Sequence, residues 1–177
     1  MKTRDLLEFV GNEQVAAKLC ASQERISRAF AELFSGYNLR AEDVLNEVVH
    51  VDQYDGTITV ADINFYSYCE HHFAPFFGTA SVTYAPGEII TGLGKIVRLV
   101  RDVHARRLQI QELMTKDIAE DLVRVLHARG AYVETRAKHL CICSRGPSDD
   151  TTQTIVRYGC GSLASSAFSP VSSKIGQ

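Results

Sequence analysis

The sequence predicts an α+β fold: an antiparallel four-stranded sheet with two consecutive helices packed on one face, plus helices at the N-terminus. Three observations lead there. Strand-type segments come in two groups, one before and one after a helical stretch. That stretch carries two apolar stripes in succession, where a parallel sheet would need helices alternating singly with strands. The chain has 177 residues, 45% hydrophobic and 23% charged, which suits one domain with a substantial core and leaves little room for two.

Taken in order, the first segment reads as a moderately amphipathic helix reaching about Lys18 and interrupted by Gly11. A firmer helix starts at Gln23, with Ile26, Phe30, Leu33 and Phe34 at helical spacing and Gly36 where a left-handed C-terminal cap would fall. Arg25 and Arg28 lie off that stripe. From Glu47 to Tyr68 the chain is rich in Val, Ile, Thr and aromatics, so it reads as extended, with a turn at Tyr54-Asp55-Gly56. Thr79 to Tyr84 alternates, and Ala85-Pro86-Gly87 then turns the chain toward Ile89-Ile90 in hairpin fashion. Ile96, Leu99, Val100 and Val103 make the apolar face of the first central helix. Ile110, Leu113, Met114, Ile118, Leu122, Val125 and Leu126 make that of the second, which should end at Gly130. Strands return at Ala131 to Cys143 and at Thr151 to Tyr158, and a Ser-rich tail follows. The division expected is an N-terminal helical segment over 1–45, a catalytic domain over 46–161 and a tail over 162–177.

A net charge of −2 gives no global attraction to nucleic acid or to an anionic membrane, so neither is expected as a partner. No apolar run reaches membrane-spanning length, and the start of the chain lacks a signal-peptide core, which points to the cytoplasm. The five cysteines, Cys20, Cys69, Cys141, Cys143 and Cys160, are odd in number and irregularly spaced, which favours reduced thiols or metal ligation over a disulfide framework.

Cys69-Glu70-His71-His72 and the distant His139-Leu140-Cys141 carry the chemistry. Cys69, His72 and Cys141 can give one ion two thiolates and an imidazole. Structural zinc is closed by four protein ligands, whereas three leave a position for water, so the set reads as a Zn2+ site of a hydrolase. Cys69 and His72, three apart, suit a turn or strand end. Convergence with Cys141 requires the strands carrying them to be neighbours. If the last strand runs far enough, His139, Cys141, Cys143 and Arg145 share a face; Cys143 reads better as a core thiol. His71 and His139, beside ligands, are the candidates to move protons. Glu70 reads equally as a support for a ligand histidine or as a solvated charge.

Cys-Glu-His-His-Phe-Ala-Pro-Phe from Cys69, Gly92-Leu93-Gly94-Lys95-Ile96, Arg106-Arg107-Leu108-Gln109-Ile110-Gln111-Glu112, Lys138-His139-Leu140-Cys141 and Ser144-Arg145-Gly146 together resemble, in order and spacing, the signature segments of GTP cyclohydrolase I. The match runs from about Gln23 to Gly161. The resemblance implies the tunnelling fold, with zinc on Cys69, His72 and Cys141, and GTP as substrate. It also implies opening of the guanine imidazole ring, release of formate and formation of 7,8-dihydroneopterin triphosphate. It places the triphosphate on Lys95, Arg98 and Arg145, with Arg25 and Arg28 reaching a neighbouring subunit's site. It places the guanine on Glu112 beside Gln111. It further implies a homodecamer of two stacked pentamers with sites at subunit borders. The chain departs from the pattern at Gly94, where the family has Ser, at Lys138, where it has a small or apolar residue, and at both ends, which look short. Two other readings compete: a specialised paralogue of modified-purine biosynthesis that stops at the formamidopyrimidine, and a non-catalytic binding module whose zinc is structural, with Cys143 as fourth ligand.

Overall fold

In a computed structural model the described residues are 11–52 and 54–165. The start of the first expected helix and most of the Ser-rich tail lie outside them. The chain divides into two compact units between Phe34 and Ser35.

The first unit holds two helices, α1 (Glu13–Ala21) and α2 (Gln23–Leu33). Asn12 caps α1, its side chain accepting from the amides of Gln14 and Val15 and so satisfying donors that the helix cannot. Gly11, with φ +59, lies just before the cap, and the part of the expected helix on its other side is outside the described residues. On α2 the expected stripe is half-buried, with Phe30 and Phe34 stacked at 5.8 Å.

The second unit begins with a 3-10 turn at Ser35–Asn38 and a short helix, α3 (Ala41–Val44). Ala41, Val44 and Leu45 are buried in this unit's core. Its strands are β1 (Val48–His50), β2 (Ile58–Cys69), β3 (Ala74–Ala85), β4 (Ile89–Thr91), β5 (Leu108–Gln109), β6 (Gly130–His139) and β7 (Thr154–Gly161). Five form one sheet in the order β5-β2-β3-β6-β7. β2, β3, β6 and β7 are antiparallel neighbours, the four strands expected, and β5 adds a two-residue parallel edge beside Tyr68 and Cys69. The hairpin expected between β3 and β4 does not form. β3 turns back on β2 instead, and β4 pairs with β1 in a separate two-stranded ribbon.

The two central helices are present. α4 (Leu93–Arg98) runs on as a π-helical segment, Leu99–His104, and α5 (Gln111–Leu126) follows. Strand alternation decides what faces them. Ile63, Phe65, Ser67 and Cys69 of β2, Phe76, Ala80, Val82 and Tyr84 of β3, and Ala131, Val133, Thr135 and Ala137 of β6 are all buried. Ile96, Leu99, Val100 and Val103, then Met114, Ile118, Leu122 and Leu126, are buried from the helix side. Each such large side chain removed from water contributes about 1.5–3 kcal/mol. Leu113, expected on the apolar face of α5, is exposed instead.

Two terminators differ from expectation. α5 stops at His127, whose backbone is left-handed at φ 50, and Gly130 already belongs to β6. Gly36 has no left-handed backbone; it is buried in the 3-10 turn because the chain passes close by. A β-carbon there would meet the carbonyl oxygens of Val103, Arg106 and Asp102 at 2.5, 2.8 and 2.9 Å. The turn is fastened by the Gly36 amide donating to Arg106 O and by Arg107 donating to the carbonyls of Gly36 and Leu39. Because all three obstructing atoms are backbone, Gly36→Ala is expected to destabilise the protein by about 1–3 kcal/mol, lowering Tm by roughly 2–12 °C in a thermal melt.

Candidate metal centre and active site

Cys69 is the last residue of β2, 6% exposed, and it lies on the helix-facing side because it continues the alternation of Ile63, Phe65 and Ser67. The chain then reverses through Glu70–Phe73. The turn closes with the Phe73 amide donating to Cys69 O at 2.9 Å, Phe73 itself taking a left-handed φ of 52. That reversal brings His72 Nδ1 to 3.8 Å from Cys69 Sγ. At the far end of β6 the strand does not continue to Cys143 as expected. It stops at His139, and Leu140–Cys143 forms a helical turn, α6, so His139, Cys141, Cys143 and Arg145 do not share a strand face. The turn carries Cys141, 8% exposed, inward.

Ligand atoms of Cys69, His72 and Cys141 lie within 4.8 Å of one another, and among the described residues the group has these three members. The strands carrying the two halves are not neighbours, since β3 stands between β2 and β6. Convergence comes from the two turns folding over the end of β3. Burial, and then the thiol of Cys69 alongside, push the Cys141 thiol upward, with Arg145 opposing the rise. Two crowded thiols surrender their protons readily only to a cation, so this donor set fits zinc. Cys143 is half-buried and outside the group.

A cavity of about 270 Å³ opens on the three ligands. His71, Gln109, Ile110, Gln111, Glu112, His139, Ile142 and Thr154 complete its lining. His71 is exposed on the turn and Glu112 is exposed at the start of α5. His139 lies face to face on Phe76, with centroids 4.5 Å apart and planes within 2°. Its Nε2 is 2.7 Å from Gln111 Oε1. Burial holds the imidazole below the usual histidine range, while Glu112 pulls the other way. Burial thus favours the neutral ring, which keeps a lone pair on one nitrogen.

The remaining basic candidates do not line this cavity. Lys95 binds Glu47 Oε1 at 2.9 Å and Asn46 Oδ1 at 3.4 Å. Arg98 binds Asp102 at 3.2 Å, and Arg145 is exposed just past α6. Arg25 and Arg28 are exposed on α2 in the other unit, Arg28 facing Glu24 at 3.9 Å. Lys138 alternates away from His139 and donates to Asp150 O at 2.7 Å. Sequence reasoning passed over Phe76, Thr115 and Thr135. The two threonines had a signal: each is a polar residue set into an apolar period, and both are fully buried.

Comparison with known proteins sets the chain beside GTP cyclohydrolases. The sequence model of the GTP cyclohydrolase I family matches residues 1–169. GTP cyclohydrolase 1 of Allorhizobium ampelinum is 44% identical over 159 residues, covering 88% of this chain and 79% of the relative. The Chlorobium phaeovibrioides protein of that name is 43% identical, covering 80% and 63%, and the Campylobacter jejuni one 40% identical, covering 88% and 83%. Among solved structures, an archaeosine synthase QueF-Like in the apo form aligns at TM-score 0.48 and 14% identity over 62% of this chain and 97% of that one.

If the three-member group holds the ion, Cys141→Ala should leave purified protein with well under a tenth of the zinc of the parent by elemental analysis, and Cys143→Ala should keep it all. Loss of the zinc from Cys143→Ala as well would make the site four-liganded and structural.

Proposed function

The chain belongs to the GTP cyclohydrolase I family, and from that premise we propose that it hydrolyses GTP, opening the guanine imidazole ring, releasing formate and forming 7,8-dihydroneopterin triphosphate. The observation that carries this reading is the single cavity onto which Cys69, His72, Cys141, His71, His139 and Glu112 all open. Bound by the two cysteines and His72, zinc would supply the Lewis acidity that makes water nucleophilic near neutral pH.

The chain's own residues supply the rest. The Glu112 carboxylate can accept two N–H groups from the guanine edge; a base lacking them would leave that carboxylate unpaired, which is the stronger kind of discrimination. Ile110 and Ile142 give the purine apolar walls. His139, neutral and with its ring plane fixed by Phe76, moves a proton to and from the imidazole nitrogen as the bond to C8 breaks. His71 is the candidate for a second transfer. For the triphosphate, Lys95, Arg98 and Arg145 are the proposed cations, with Arg25 and Arg28 serving a neighbouring subunit.

The assembly proposed is a homodecamer of two five-fold rings. Support comes from the sheet's two edges. Along Ile58–Ser67 the side of β2 away from β3 has no strand partner among the described residues, and neither has the outer side of β7. Unpaired edges of that length invite strands from another copy.

Purified, zinc-loaded protein incubated with GTP should yield dihydroneopterin triphosphate by mass spectrometry with one formate per GTP; arrest at the formamidopyrimidine would replace this reading with the paralogue's. His139→Ala should lower kcat by about 10²- to 10⁴-fold. A β-carbon on Gly94 would meet nothing within 4 Å, so the Ser of the family pattern fits. Gly94→Ser is expected to lower the KM for GTP by roughly tenfold or more, through one added hydrogen bond to a charged phosphate, with Tm unchanged.

A further inference from the structure

Gln111 opens α5 with its side chain 2% exposed, inside a polar chain that crosses the otherwise apolar layer between α5 and β6. The direction of every hydrogen bond in that chain follows from groups that can play only one part. Thr135 O and Thr154 O are carbonyls and only accept. The Gln111 atom 3.2 and 3.3 Å from them is therefore the NH2 group, because the reversed amide would set oxygen against two oxygens. Thr115 donates its one hydroxyl proton to Gln111 O at 2.7 Å. In its 2.7 Å contact with Thr135 Oγ1 it must then accept, so Thr135 donates. Thr135 Oγ1, with its proton spent, accepts from Gln111 Nε2 at 3.0 Å.

The carboxamide oxygen is left pointing at His139 Nε2, 2.7 Å away, and an oxygen there can only accept. The histidine's hydrogen-bond polarity is thus dictated by two backbone carbonyls on the far side of Gln111. Stacking on Phe76 fixes the ring plane, and a 180° flip within that plane would set the Cε1 carbon against Gln111 Oε1 in place of Nε2, losing the hydrogen bond.

We propose that Gln111 is a positioning residue: anchored by Thr135 and Thr154, it holds His139 in the Nε2–H tautomer and so assigns Nδ1 as the nitrogen that exchanges a proton with the bound purine. A proton taken up at Nδ1 and given back from it leaves the Nε2–H bond to Gln111 unbroken throughout. This deepens the proposed reaction and rests on it. It also gives Gln111 a part other than contact with the base: its amide N–H groups are met within the protein, whereas neighbouring Glu112 is exposed.

The test has two arms on zinc-loaded protein. In the parent, ¹⁵N-histidine spectra at a pH where the ring is neutral, with His139 assigned by loss of its signals in His139→Asn, should show a protonated Nε2 and an unprotonated Nδ1. The opposite pattern overturns the proposal whether or not GTP is turned over, so failure here is distinct from failure of the proposed activity. In Gln111→Met, which keeps the length of the side chain and removes both polar atoms, kcat should fall about 10- to 100-fold, with the KM for GTP within about threefold and zinc content unchanged. Unchanged kcat, or a raised KM with kcat retained, would return Gln111 to a structural or substrate-contact role. Should Gln111→Met not fold, Thr135→Val removes only the hydroxyl link, and the same split between kcat and KM is expected in weaker form.

Discussion

The pairing register of β3 with β6 is the constraint on which the rest of the molecule depends. Ten residue pairs run without a shift from Phe76 opposite His139 to Ala85 opposite Gly130. A slip of one residue would turn His139 to the other face, away from Phe76, Gln111 and the cavity. It would also bury Tyr132, Glu134, Arg136 and Lys138 in place of Ala131, Val133, Thr135 and Ala137. Gly78 adds a close approach that this register requires, because a β-carbon on it would lie 1.8 Å from Arg136 O. The same alternation that packs the core therefore delivers a histidine to the rim of the site.

The site itself is built where regular structure ends. β2 ends at Cys69 and β6 ends at His139, and each strand gives way to a tight turn that carries a residue of the group able to hold a metal. Strands alone could not bring those ligands together, because β3 separates the two by a full strand spacing on each side. The turns lean over the end of β3 and close that gap. Behind them the polar chain of Thr115, Thr135 and Gln111 is satisfied throughout, and a fully satisfied buried network is rigid. A rigid support of this kind holds the His139 ring in one place at the cavity's edge.

The basic residues obey a different logic. Lys95 rests on Glu47, Arg98 on Asp102 and Arg28 on Glu24. Exposed pairs such as those of Arg98 and Arg28 stabilise a fold by about 0–1 kcal/mol, so exchanging a carboxylate for a phosphate costs the protein little. Their partners could not have been chosen from spacing alone except at four-residue intervals on a helix, as for Arg28 with Glu24 and Arg98 with Asp102. Glu47, far from Lys95 in sequence, belongs to a contact that only folding creates.

The order of strands and helices, most of their buried faces, and the three residues that come together as a group able to hold a metal could be read from residue pattern and motif, because alternation, helical period and the chemistry of Cys and His are local properties. Misreadings fell where a residue's part is set by what passes beside it. Gly36 looked like a helix terminator and is a point of close backbone approach; Ile89-Ile90 looked like a return strand and pairs instead with Val48–His50. Leu140–Cys143 looked like the end of a strand and is a helical turn. For Gln111 the sequence offered no sign that its amide hydrogens are held by Thr135 and Thr154. Local pattern determined which groups this protein would use; the tertiary structure decided their directions and partners, because a hydrogen bond's polarity and a metal ligand's reach depend on atoms that lie far away along the chain.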